Sequence, residues 1–251
     1  RVRPMGASAR RRRDPQGENR SPDARAGLFL RFHIGLPYRK VVGAIEGLDS
    51  LAFTPAALLG FEKQAAAAAR PLSQDVAKKL RACEVNHADE THYTINGERA
   101  QVWFHGNEQL AHFFICGTRS GAISRKILGM DYAGGLVMDC YAGYDRHATK
   151  IKQRCLEHLK RTAKAWLKVT PEKATASRRF FADVRAWVKR GCRWYRRWKK
   201  DNGPEKEAEA AWLREEQTRL ESVPLDFQKA QTLQGRIRRY STEWLTFLEH
   251  P

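Results

Sequence analysis

Val85-Asn86-His87-Ala88-Asp89-Glu90-Thr91-His92-Tyr93-Thr94-Ile95-Asn96-Gly97-Glu98-Arg99-Ala100-Gln101-Val102-Trp103-Phe104-His105 is the stretch on which the fold turns. Val85, His87 and Asp89 alternate with Glu84, Asn86 and Ala88, and a period of two belongs to a strand. Tyr93 to Ile95 runs into Asn96-Gly97, the strongest two-residue signal for a type I′ hairpin, because both central positions need positive φ. Ala100 to His105 is the return strand, rich in Val, Trp and Phe. Gly106-Asn107 turns the chain again, and Ala111 to Cys116 reads as a third strand. The three make an antiparallel meander.

Downstream, Ser120 to Leu128 reads as a short helix with Gly129 at its C-terminal cap. Gly135-Leu136-Val137-Met138 is a short continuous apolar run between helical segments, the signature of a buried parallel strand. It ends at Asp139. Ile151 to Cys155 reads as one more strand. Leu156, Leu159, Ala163, Trp166 and Leu167 then fall at helical spacing on one face. From Thr170 onward the pattern is helical throughout, with Phe180, Val184, Trp187, Gly191, Trp194 and Trp198 on one side of a basic helix. Upstream, residues 27–80 are helical in pieces: Thr54-Pro55 starts one helix, and Ser73 and Asp75 are expected to open a short one ending before Cys83. Residues 1–26 carry Pro, Gly, Ser and Arg without periodicity and read as a flexible basic arm. The expected organisation is therefore an arm (1–26), a helical region (27–80), an α/β core (81–169) and a basic helical insertion region (170–251). Three antiparallel strands, a helix and a parallel buried strand are the element order of an RNase H-like core, in which the first and fourth strands lie side by side.

Composition narrows the partners. The 251 residues include 46 Lys and Arg against 28 Asp and Glu, a formal charge of +18. The segment from Lys150 to Lys200 holds 18 basic residues against Glu157, Glu172 and Asp183, a net of +15. The segment from Arg1 to Arg31, which includes Arg10 to Arg13, adds a net of +6. Such concentration points to a polyanion, and nucleic acid is the usual one. No uncharged apolar run approaches the ~20 residues of a membrane span, and the N-terminus lacks the apolar stretch of a secretory signal. Five cysteines, an odd number with no CxxC pair, argue against a disulfide framework and for reduced thiols.

The element order gives two aspartates special meaning. Asp89 lies on the first strand and Asp139 at the end of the fourth, so adjacent parallel strands bring them together. Paired carboxylates repel and raise each other's pKa unless a cation lies between them. Mg²⁺ or Mn²⁺ suits oxygen ligands, and such ions activate an attacking oxygen and stabilise a leaving one. Phosphodiester cleavage or strand transfer is the chemistry implied, although an Asp at a strand end is also a common turn residue. Glu90 points to the opposite face and is not expected to be a ligand, and Tyr141 and Tyr144 are expected to pack in the core.

Local words then match a known family. Val85-Asn86-His87-Ala88-Asp89-Glu90-Thr91, Asn96-Gly97-Glu98-Arg99 and Met138-Asp139-Cys140-Tyr141-Ala142-Gly143-Tyr144, in that order and spacing, resemble the core of insertion-sequence-66-type transposases of the DDE superfamily. Gln153 to Arg161 resembles that family's Cys-x-x-His-x-x-Arg segment. The resemblance implies a bacterial, Mg²⁺-dependent DNA transposase that cleaves and joins strands at transposon ends. Asp89 and Asp139 would be its first two acids and metal ligands, with transposon ends and target DNA as partners and no membrane. It also implies a cytoplasmic, nucleoid-associated location and self-association, for which no heptad is long enough to be read. The family's third acid is a Glu in an Asn-Asn-x-x-Glu-Arg word. Leu245 to Pro251 resembles the approach to it, the word itself is absent, and the Glu is expected beyond the end. Glu243 and Glu249 match it in residue type only. Two Asp hold one ion but anchor a second poorly, so weak activity or none is expected. A catalytically inactive DNA-binding remnant and an RNase H-like nuclease remain the alternatives.

Two other ligand patterns occur. Cys155 and His158 share a helix face and begin a metal site that no second pair completes. His87 and Asp89, with His147 or His158, spell a non-haem iron triad, a chemistry the helical second half argues against. In the basic helix, the Trp spacing predicts a buried stripe, leaving Arg193, Arg196, Arg197, Lys199 and Lys200 to contact phosphates without reading sequence. Duplex binding through these five should weaken steeply as salt rises, measured as the slope of log K against log salt; a flat dependence would contradict the assignment.

Overall fold

The computed structural model describes residues 22–49, 54–200 and 206–250. The Arg10 to Arg13 block, with the rest of the arm through residue 21, lies outside the described residues, and residues 22–26 belong to helix α1 (Pro22–Leu28). The chain forms two compact units, one ending at Ser73 and the other beginning at Gln74. In the first, α1, α2 (Tyr38–Asp49) and the start of α3 (Pro55–Arg81) enclose Val41, Ile45 and Leu58. The separate helix expected to open at Ser73 or Asp75 does not form, because α3 runs unbroken through Pro71. Starting a new helix costs more than the single backbone hydrogen bond a proline forfeits, and the alanine run before it propagates well.

The second unit is built on one sheet in the order β3-β2-β1-β4-β5. The strands are β1 (Val85–Ile95), β2 (Glu98–Gly106), β3 (Ala111–Cys116), β4 (Gly135–Met138) and β5 (Lys152–Arg154). The first three pair antiparallel, while β4 pairs parallel with both β1 and β5. Asn96 (φ 51°) and Gly97 (φ 84°) make the β1–β2 turn with the two positive φ values it requires. Helix α4 (Ala122–Leu128) leaves β3 and ends at Gly129, φ 98°. One sheet face carries Ala88, Trp103, Leu136 and Met138 into a core closed by Leu80, Leu128 and Tyr144. A second core lies among α5 (Leu156–Lys168), α6 (Thr175–Lys200), α7 (Lys206–Ser222) and α8 (Gln228–Arg239), centred on Phe180, Trp187, Leu213 and Trp244. Short turns at Ser241–Glu243 and Thr246–Leu248 return the chain to β5. No described helix is long and apolar enough to cross a membrane.

Under the sheet, Ser124 Oγ is hydrogen-bonded to His105 Nε2 (2.7 Å) and to His147 Nε2 (2.9 Å), and all three residues are buried. The Ser124 hydroxyl donates to one ring and accepts from the other, so two neutral imidazoles satisfy it. Burial holds His105 down to about 3, helped by His147 and His112, and His147 down to about 4, helped by Arg125 and Lys152. The unfolded chain takes up these protons near pH 6.5, so the stabilisation is complete above that pH and is lost as pH falls toward 4. Urea denaturation is expected to show the unit weaker at pH 5 than at pH 7 by on the order of 2 kcal/mol per ring. His147→Gln should flatten that dependence by one ring's share, and an equally steep loss in the variant would contradict it.

Candidate active site

Strand pairing sets β1 beside β4. In the β1–β4 register His87 stands opposite Val137. Asp89 lies two residues further along β1, and Asp139 is the first residue after β4, beyond the last paired position. Asn86, Ala88, Leu136 and Met138 point into the core, so Asp89 belongs to the other face of β1. Asp139 is tied down twice. Its Oδ1 accepts from the Tyr141 N–H (2.8 Å), and its carbonyl accepts from Arg154 Nη1 (2.7 Å). Asp89 is half exposed, with Oδ1 accepting from the Glu90 N–H and Oδ2 lying 3.9 Å from His158 Nε2.

His158 reaches Asp89 from the first turn of α5. Its hydrogen bond with Cys155 raises its pKa against the cost of burial, and the Asp89 charge adds to the rise. Burial pushes the Cys155 thiol up, but the bonds to His158 outweigh it and the net shift is downward. These two residues therefore serve one another, and among the described residues no group of three or more His, Cys, Asp or Glu is disposed to hold a metal. His147, the other ring of the iron-triad pattern, is bonded to Ser124 on the buried side.

Glu90 takes the opposite face, with its side chain only 1% exposed. Its Oε1 accepts from Arg119 Nη2 (2.6 Å) and Nε (3.1 Å), and its Oε2 from the Tyr144 hydroxyl (2.6 Å). Burial raises its pKa, and those hydrogen bonds pull it back. Tyr144 is fully buried, while the Tyr141 ring lies under the Arg119 guanidinium at 4.4 Å and its hydroxyl bonds the Arg119 carbonyl. The loop can close this way because Gly121 meets the Gly143 backbone, where a Cβ would collide. Between these groups lies a cavity of about 310 Å³, bordered by Arg119, Asp139, Tyr141, His158 and Arg236.

Neither candidate for a third acid joins the pair. Glu243 Oε2 accepts from Arg154 Nε at 2.6 Å, and Glu249 is exposed, 3.5 Å from Arg214. Arg154 itself is wholly buried, with Nη2 on Asp145 (2.7 Å) and its guanidinium over Tyr240 at 3.7 Å. Arg193, Arg196, Arg197, Lys199 and Lys200 are exposed along the last turns of α6, and Trp187 and Trp194 are buried beneath them. Arg197 is paired with Glu209, and Lys199 with Glu108 at 3.2 Å. Sequence reasoning set Glu90 aside as off-face, which is correct, yet it did not find Arg119, Arg154 or Arg236. Only Arg154 carried any signal, as part of the segment leading into α5.

A family model described as the IS66 family of transposases matches residues 21–250 of the chain. No curated protein matches it. Replacing Arg154 should reveal how far the site depends on its supports. Arg154→Ala leaves Asp145 and Glu243 without their buried partner and is expected to cost about 3–5 kcal/mol in urea denaturation. Arg154→Lys should recover little, since an ammonium cannot fill the planar fork; a loss under about 1 kcal/mol for Arg154→Ala would contradict the assignment.

Proposed function

This chain belongs to the IS66 family of transposases, and from that premise we propose that it cuts and joins DNA strands at transposon ends through a divalent-metal site on Asp89 and Asp139. The observation that carries the proposal is the parallel pairing of β1 with β4, which sets the strand carrying Asp89 beside the strand that Asp139 directly follows. The strand order, with β1 flanked by antiparallel β2 and parallel β4, supports an RNase H-like core.

The donor set suits a hard cation. Carboxylate oxygens as the ligands favour Mg²⁺ or Mn²⁺, which keep water and phosphate in their remaining positions. When bound, the ion would polarise a phosphate oxygen and lower the pKa of an attacking hydroxyl or water. Asp139 offers the free Oδ2 beyond its bond to the Tyr141 amide, and the Arg154 bond holds its backbone still. His158 lies beside Asp89 and adds a donor at the rim. The exposed cations at the end of α6 would grip the DNA backbone from the helical region. A DNA-binding remnant without chemistry is favoured by one observation, the lack of a three-ligand cluster among the described residues.

Metal binding separates the two readings. Millimolar Mn²⁺ is expected to raise the melting temperature of the wild type and not that of Asp89→Asn or Asp139→Asn. In a nicking assay on transposon-end DNA, either variant should lose at least about a hundredfold in rate. Equal thermal shifts in wild type and variants would overturn the metal site.

A further inference from the structure

We propose that Arg119 anchors a phosphate of the bound DNA strand in the cavity beside Asp139, and that buried Glu90 is the residue that positions it there. The inference rests on the DNA-processing reading above and adds a residue to it.

Arg119 borders the same cavity as Asp139, His158 and Arg236. A cavity with an acid on one wall and two arginines on others suits a phosphodiester held with a cation, since the acid takes the metal and the arginines take the phosphate oxygens. The way Arg119 is held points the same way. An arginine merely closing a loop would pair with a solvated carboxylate at small gain. Here the partner is Glu90, whose carboxylate is out of water and therefore needs its compensation from the Arg119 guanidinium and the Tyr144 hydroxyl. The Tyr141 ring fixes the plane of the guanidinium from below. Glu90 occupies Nε and Nη2. Nη1 donates to none of the described residues, and the side chain as a whole is 56% exposed. One edge of the fork is locked while the residue borders the cavity, an arrangement that costs little further ordering when a phosphate arrives.

The test reads binding, so it does not depend on turnover. Fluorescence anisotropy with a labelled duplex oligonucleotide in Mg²⁺ is run over a salt series on the whole chain. Arg119→Gln is expected to lower affinity about tenfold and to reduce the slope of log K against log salt by about one. Arg119→Lys keeps the charge and should keep the slope while losing affinity. Glu90→Gln should weaken binding in the wild type and have no further effect in Arg119→Gln, which a purely structural role would not produce. An unchanged salt slope in Arg119→Gln, with a wild type that binds and takes up metal at Asp89 and Asp139, overturns the anchor alone. A wild type that binds no duplex overturns the anchor together with the reading beneath it.

Discussion

A guanidinium with no exposed surface, that of Arg154, is the interaction on which the rest of the second unit depends. It stands at the end of β5, and its donors reach four places: the Asp139 carbonyl, Asp145, Glu243, and by stacking the ring of Tyr240. A buried cation is tolerated only when every direction is answered. The answer comes from the loop after β4 and from the turn that follows α8. This charge ties the sheet to the helical region, beside the bonds of Gln153 to Trp244 and of Thr246 to Lys152, and it fixes the backbone of Asp139 in the same act. Tyr240, Asp145 and Arg239 extend the network to the surface.

The pleat divides the chemistry. Consecutive residues Asp89 and Glu90 carry the same charge, and their fates differ only because alternate side chains leave opposite faces of β1. Asp89 keeps half its surface in water beside His158. Glu90 is drawn under the sheet, where it would be costly unpaired, and there it holds Arg119 and Tyr144. The two faces meet again at the cavity, because the loop carrying Arg119 passes over Tyr141 and packs against Gly143.

Helical geometry works similarly in the basic segment. Trp187 and Trp194 bury themselves at helical spacing, and the same period turns Arg193, Arg196 and Lys200 outward. A helix so basic would repel itself if its charges shared one side without relief. Glu209 lies between Arg190 and Arg197 and supplies part of it. The exposed cations that remain form a positive surface along the end of α6.

Local chemistry alone determined the strands and most of the helices. Asn96-Gly97 specified the hairpin because few other dipeptides accept two positive φ values, and the apolar run Gly135 to Met138 could only be a buried strand. It also determined the likeness to one family, since His87-Ala88-Asp89 and Asp139-Cys140-Tyr141 are read in order along the chain. Where sequence signals conflicted, as at Pro71 and Ser73, the longer element won by cooperativity. What only the tertiary structure decided is who answers whom. Arg119 bonds Glu90 across 29 residues, and Arg154 bonds Glu243 across 89. No local pattern marks such partners, because a charge is buried or solvated according to what the fold brings beside it, and that is a property of the packed chain.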